Sequence, residues 1–194
     1  AVTFFGLLQV FFNQFGYDRE GFRALVLLPA SRRYILFAKN LAFAPIVGVL
    51  GLVLLVLVTV LAHLPPLVVL AAALQLVAMF LFLSIAANFF SILVPYRIAA
   101  GSMKAAKPPA KTVFMILLTQ LLFPLLALPI FVPPLLGLLS ETLGWLSLSV
   151  VDALLSGLLL ALAVVLYRLS LHSLGQFLER REKGILLIVS HDAE

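Results

Sequence analysis

Four long apolar stretches constrain the fold of this chain more than any other feature. They are residues 41–62, 67–94, 112–134 and 148–167. A helix needs about 20 apolar residues to cross a hydrocarbon core of about 30 Å, and each stretch provides them. Only 11% of the residues are charged, whereas a soluble domain has about 25%. The sequence therefore predicts an all-α, polytopic membrane protein, a single transmembrane domain over residues 1–194.

The chain begins with a fifth apolar stretch that is too short to cross a bilayer. Residues 1–12 start without Met and without the basic segment that opens a signal peptide. We interpret residues 1–15 as the end of a span whose beginning is missing. The chain is therefore expected to be an N-terminally truncated piece of a longer protein.

The basic residues predict the orientation of the spans. All 13 Lys and Arg residues fall within residues 17–39, 95–111 and 168–194. Short cytoplasmic loops collect Lys and Arg, so these three segments are expected on the cytoplasmic side. The turn at residues 63–66 and the region around Glu141 are expected on the opposite side.

Composition and motifs argue against chemistry carried out by this chain. It has no cysteine, no phosphate-binding loop and no HExxH zinc motif. No two acids or histidines share a plausible place within the membrane, which disfavours a membrane-embedded enzyme. In so apolar a chain, the basic excess orients the spans rather than binding nucleic acid. We expect no catalytic residue, metal site or cofactor in this chain.

The cytoplasmic loop before residue 41 is longer than a connection between spans requires. Asp18 is a plausible N-cap for a short helix, along which Phe22, Leu25 and Val26 form an apolar stripe. Pro29 is expected to end that helix, because proline lacks a backbone donor and restricts the preceding residue. The pattern fits an interfacial helix on anionic lipid or a docking element for a cytoplasmic protein.

The run DREGFRALVLLPASRRYILFAKNL, residues 18–41, resembles the loop of ABC-2 type exporter permeases that holds their coupling helix. The segments NFFSILVPYRIAAGSMKAAKPPAK and LERREKGILLIV are also similar to later parts of such permeases. In that family the coupling helix lies on an ATP-binding cassette ATPase. The resemblance implies that the residues contacting the ATPase are Asp18, Arg19, Glu20, Phe22, Arg23, Leu25, Pro29, Arg32 and Arg33.

The resemblance implies the membrane subunit of an ATP-driven exporter in the bacterial cytoplasmic membrane. A second permease half, identical or different, would complete the pathway, and ATP with Mg would bind to the partner ATPase. The alternative is a membrane scaffold or assembly protein that does not transport. Its basic loops would bind lipid or a partner.

Polar residues within the spans mark a possible pathway, because polar groups in hydrocarbon are costly and face protein or water. These residues are Gln75, Asn88, Gln120 and Asp152. Hydrogen bonding between helices is the simpler explanation for the three amides. Asp152 is the acid within a span, near its outer end. We further expect Pro133 and Pro134 to end the third span, leaving residues 135–148 as an interfacial or re-entrant segment or a plain amphipathic loop.

Overall fold

The computed structural model describes residues 9–98 and 110–190, and these residues are almost entirely helical, without a β-sheet. After the helical residues 9–12, the described part of the chain has two short helices followed by four long ones. The helices are α1 (Gln14–Asp18), α2 (Gly21–Leu27), α3 (Arg32–Ala62), α4 (Pro66–Leu93), α5 (Ala110–Thr142) and α6 (Leu148–Ser190). The all-α prediction is confirmed.

Each of the four long helices has a segment that is long and apolar enough to cross a membrane. The segments are Arg32–Ala62, Pro66–Leu93, Pro124–Thr142 and Leu148–Val189. They contain or overlap the four predicted stretches, so the chain is a membrane protein. Of the partial span predicted for residues 1–15, the first eight residues lie outside the described part of the chain.

Two of the spanning helices are longer than a bilayer requires. Helix α6 has 43 residues, about 64 Å at a rise of 1.5 Å per residue. It continues without a break beyond Arg168 into the basic segment predicted to be cytoplasmic. Helix α3 likewise begins at Arg32, nine residues before the apolar stretch at residue 41. Each helix thus continues from an apolar spanning segment into an extension that mixes charged and apolar residues.

The prediction that Pro133 and Pro134 end the third span is wrong. Helix α5 includes both prolines and also Pro124 and Pro129, and it ends at Thr142. Proline has a helical φ, and the cost of its missing donor is tolerated in membrane helices where other groups satisfy the backbone. Residues 135–142 therefore belong to α5 rather than to a separate hairpin.

The turn between α5 and α6 is short. Gly144 has a left-handed φ of 72°, which favours glycine. The Ser140 hydroxyl accepts a hydrogen bond from the Leu146 amide and donates one to the Leu146 carbonyl, both at 3.2 Å. These bonds fix the turn and satisfy both backbone groups of Leu146, which lies between the two helices.

The chain divides into two compact units, which we describe separately. Unit 1 consists of the described parts of residues 1–41, 84–122 and 169–194, and unit 2 of residues 42–83 and 123–168. The hydrophobic core of unit 1 consists of Phe15, Phe22, Leu36, Ile92, Leu174, Leu178, Ile185 and Val189.

Unit 2 has close helix contacts at its glycines. A Cβ added at Gly51 of α3 would lie 2.6 Å from the Leu76 side chain of α4, and one at Gly137 of α5 would lie 2.9 Å from the Leu148 carbonyl of α6. Elsewhere the spans expose large aliphatic side chains, including Leu54, Leu125 and Leu158. An apolar surface of this kind is typical of contact with lipid.

Candidate functional site: a docked helix and a buried polar trio

Helix α2 follows a sharp turn, and Asp18 does not cap it. Asp18 is the last residue of α1, and Arg19 after it has a φ of 50°, which separates the two helices. The Asp18 carboxylate instead forms an ion pair with Lys39 of α3, at 2.6 Å from Nζ. The predicted end of α2 is confirmed, because Leu28 is extended in front of Pro29.

Phe22 of α2 lies inside the chain's own core. It is 2% exposed, and its ring meets that of Phe15 edge-on at a centroid distance of 5.1 Å. Leu25 and Val26 are half-buried and pack against the same core. The ATPase contact expected for Phe22 stays a prediction, but in this structure the side chain is enclosed by unit 1 and offers no surface to a partner.

Arg32, the first residue of α3, forms hydrogen bonds with backbone carbonyls at the end of α2 and just beyond it. Its guanidinium donates to the carbonyls of Val26 at 2.9 Å, Ala30 at 3.3 Å and Leu28 at 3.4 Å. Its Nε also donates to Glu182 of α6 at 2.7 Å. Arg32 was predicted to contact a partner, but its donors are engaged within the chain. The carbonyls at the end of a helix and a carboxylate both accept hydrogen bonds and both attract positive charge, so one guanidinium can bind them together.

The exposed part of this region lies at the C-terminal end of α2. Leu27 is 75% exposed and Leu28 is 48% exposed, and Pro29 follows them on the surface. We call Leu27, Leu28 and Pro29 the apolar edge. Of the remaining residues predicted to contact the ATPase, three are exposed and one is half-buried: Glu20, Arg23 and Arg33 are exposed, and Arg19 is half-buried.

Amide side chains are buried beside the core of unit 1. Asn13 donates to the Tyr96 carbonyl at 2.7 Å and accepts from the Tyr96 amide at 3.1 Å. Burial, reinforced by Tyr17, raises the pKa of Tyr96 to about 12. Asn88, a predicted pathway residue, is fully buried, and neither of its side-chain polar atoms has a hydrogen-bond partner among the described residues.

Gln75 of α4 meets Asp152 and Ser156 of α6 within unit 2. The Gln75 amide nitrogen donates to Asp152 Oδ1 at 2.9 Å and to Ser156 Oγ at 2.8 Å. Ser156 Oγ in turn donates to the same Oδ1 at 3.3 Å. We call these three residues the polar trio. Asp152 is 5% exposed, so a carboxyl group is enclosed between two spanning helices.

The trio brings together two of the four residues predicted to line a pathway. The structure places Gln75 beside Asp152, although 77 positions separate them in the sequence. Ser156 was missed, but its spacing of four residues from Asp152 places both on one face of a helix and could have identified it. The side chain of Gln120 lies outside the described residues.

Comparisons with known proteins assign no family to the chain. No family model, curated protein or solved structure matches it. Within the described residues, no three His, Cys, Asp or Glu side chains lie close enough together to hold a metal ion. The candidate functional features of the chain are therefore α2 with its apolar edge and the polar trio.

Proposed function

We propose that the chain is the membrane subunit of an ATP-driven exporter of the ABC-2 type. In this proposal a cytoplasmic ATP-binding cassette ATPase binds ATP and Mg, and a second permease half completes the pathway. The observation that supports the proposal best is the docking of α2. The helix is held firmly by the rest of unit 1, yet it leaves Leu27 and Leu28 exposed.

A coupling element must transmit displacement as well as bind a partner. Phe22 anchors α2 in the core, and Arg32 joins its last carbonyls to Glu182 of α6. Because Arg32 is itself the first residue of α3, a force on α2 reaches two spanning helices through short polar contacts. This arrangement would let an ATPase move the spans when it closes around ATP.

The proposal can be tested by site-specific photocross-linking in the native membrane. A photoreactive amino acid at Leu27 should cross-link to an ATP-binding cassette ATPase, identified by mass spectrometry of the linked peptide. Leu57, also an exposed leucine but within the span of α3, is the control and should give no ATPase adduct. Equal ATPase adducts from both positions, or none from Leu27, would contradict the exporter assignment.

The scaffold alternative is favoured by a specific feature of the same surface. The exposed Arg33 guanidinium lies 4.8 Å from the ring centroid of Tyr34, and exposed Arg23 lies on α2. Arginine beside exposed aliphatic residues is typical of binding to anionic headgroups. Under this alternative, Arg23→Gln weakens binding of the purified protein to anionic lipid, and Leu27 gives only lipid adducts.

A further inference from the structure

The charge of Asp152 has no counterion within unit 2. No Lys occurs in residues 42–83 or 123–168, and the one Arg is Arg168. Arg168 follows Asp152 by 16 residues on α6, about 24 Å at helical rise. An ionised carboxylate between apolar helices is costly unless a cation reaches it. Neither Arg168 nor His63, the other side chain of unit 2 that can carry a positive charge, forms an ion pair with Asp152 among the described residues. A neutralising cation must therefore come from outside unit 2.

The hydrogen bonds of the trio define where that cation would bind. Gln75 uses two donor hydrogens, one on Asp152 Oδ1 and one on Ser156 Oγ. The Ser156 hydroxyl then donates to Oδ1 as well. Oδ1 thus accepts two hydrogen bonds, and no described residue donates to Oδ2. The amide nitrogen of Gln75 points toward the site, which disfavours Mg²⁺ or Ca²⁺, because these ions take oxygen ligands.

We propose that Asp152 is a proton-binding site within the membrane, with the proton carried on Oδ2. Gln75 and Ser156 position the carboxyl group through Oδ1, so proton exchange at Oδ2 leaves both hydrogen bonds intact. On release, the O–H bond of the acid breaks and the proton passes to a water molecule, leaving a carboxylate between α4 and α6. This inference does not depend on the exporter assignment.

The neighbours of the trio contain no competing ionisable group. Gln75 faces Asp152 from α4, and Ser156 lies on the same helix as Asp152. From α5, Gly137 is the neighbour, with the Asp152 amide 3.5 Å from the position of an added Cβ. The other ionisable side chains of unit 2 are His63, Glu141, Tyr167 and Arg168. Tyr167 and Arg168 follow Asp152 by 15 and 16 residues on α6, more than about 20 Å at helical rise. In the part of the chain that the structure describes, no ion pair joins His63 or Glu141 to the trio.

Infrared difference spectroscopy tests the proposal directly. The full-length protein, labelled with ¹³C at its aspartate carboxyls, is placed in lipid vesicles and titrated with pH. The chain has three aspartates, Asp18, Asp152 and Asp192, so few bands carry the isotope shift. We expect a label-sensitive, pH-dependent C=O band that is absent in Asp152→Asn and persists in both Asp18→Asn and Glu141→Gln.

The same infrared measurement on Ser156→Ala is a second test, and it remains informative if Asp152→Asn does not fold. Loss of the hydrogen bond to Oδ1 should shift the frequency of the same band in otherwise intact protein. The proposal is overturned if no aspartate band responds to pH, or if the responding band is unaffected by Ser156→Ala. A band that responds to Na⁺ or K⁺ at constant pH, rather than to protons, would also overturn it.

Discussion

Phe22 is enclosed and Leu27 is exposed, so we predict different effects of substitution at these two positions of α2. Substitution of Phe22 should destabilise α2, whereas substitution of Leu27 should not. Core Phe→Ala substitutions cost about 3–5 kcal/mol, and the edge-on contact with Phe15 alone contributes about 0.5–1.5 kcal/mol. Helix α2 has only seven residues, too few to be stable without tertiary contacts. Phe22→Ala should therefore release α2 from the core by local opening, while the four spans remain inserted.

Amide hydrogen exchange measures this opening on the purified protein in neutral detergent. A cost of about 4 kcal/mol corresponds to about a 10³-fold increase in the open population of α2, since each 1.4 kcal/mol is a factor of ten. Leu27→Ala, at a surface position, should change stability by less than about 0.5 kcal/mol and leave exchange almost unchanged. Under the exporter proposal it should nevertheless weaken recovery of the ATPase. Parent-like exchange in Phe22→Ala would refute the reasoning.

Three further predictions use features of the same units. Gly175→Ala should lower the thermal unfolding temperature in detergent, because its Cβ would lie 2.9 Å from the Arg33 backbone nitrogen. Gly184→Ala, a control in open space on the same helix, should instead stabilise the protein by about 0.5–1 kcal/mol. In intact cells, a cysteine at Gly184 should be protected from an impermeant thiol reagent and one at Glu141 labelled; the reverse pattern would invert the predicted orientation. Burial raises the pKa of Asp18 against the opposing effect of Lys39, so the folded chain binds the proton more tightly than the unfolded chain and stability should fall as pH rises above about 4. Asp18→Asn should flatten that pH profile, and an unchanged profile would contradict the assignment.

The spans could be predicted from the sequence because their cause is local. A helix across hydrocarbon needs a fixed length of apolar residues, and that length is visible in the chain. The end of α2 before Pro29 was predictable for the same reason, since proline affects its own backbone and the residue before it. Pro133 and Pro134 show the limit of such local rules. The surroundings decide whether a missing donor ends a helix, and the sequence does not reveal them.

The environment of Phe22 could not be predicted from its stripe. A 3.6-residue pattern identifies an apolar face of a helix but not the residues that pack against it. Here those residues include Leu178 and Ile185, from the far end of the chain. The hydrogen bond between Gln75 and Asp152 could not be predicted from the sequence for a similar reason. Two polar residues in separate spans carry no signal of their contact, which depends on how α4 and α6 pack.

The prolines of α5 have a consequence for what surrounds that helix. Because Pro129, Pro133 and Pro134 have no N–H, the carbonyls four residues earlier, at Leu125, Pro129 and Ile130, receive no ordinary helical hydrogen bond. An unsatisfied carbonyl facing lipid tails costs several kcal/mol. Water, a hydroxyl, another chain or a local 3₁₀ hydrogen bond is therefore needed to supply donors along this stretch. Helix α5 is consequently the span around which a hydrated or protein-covered surface is to be sought.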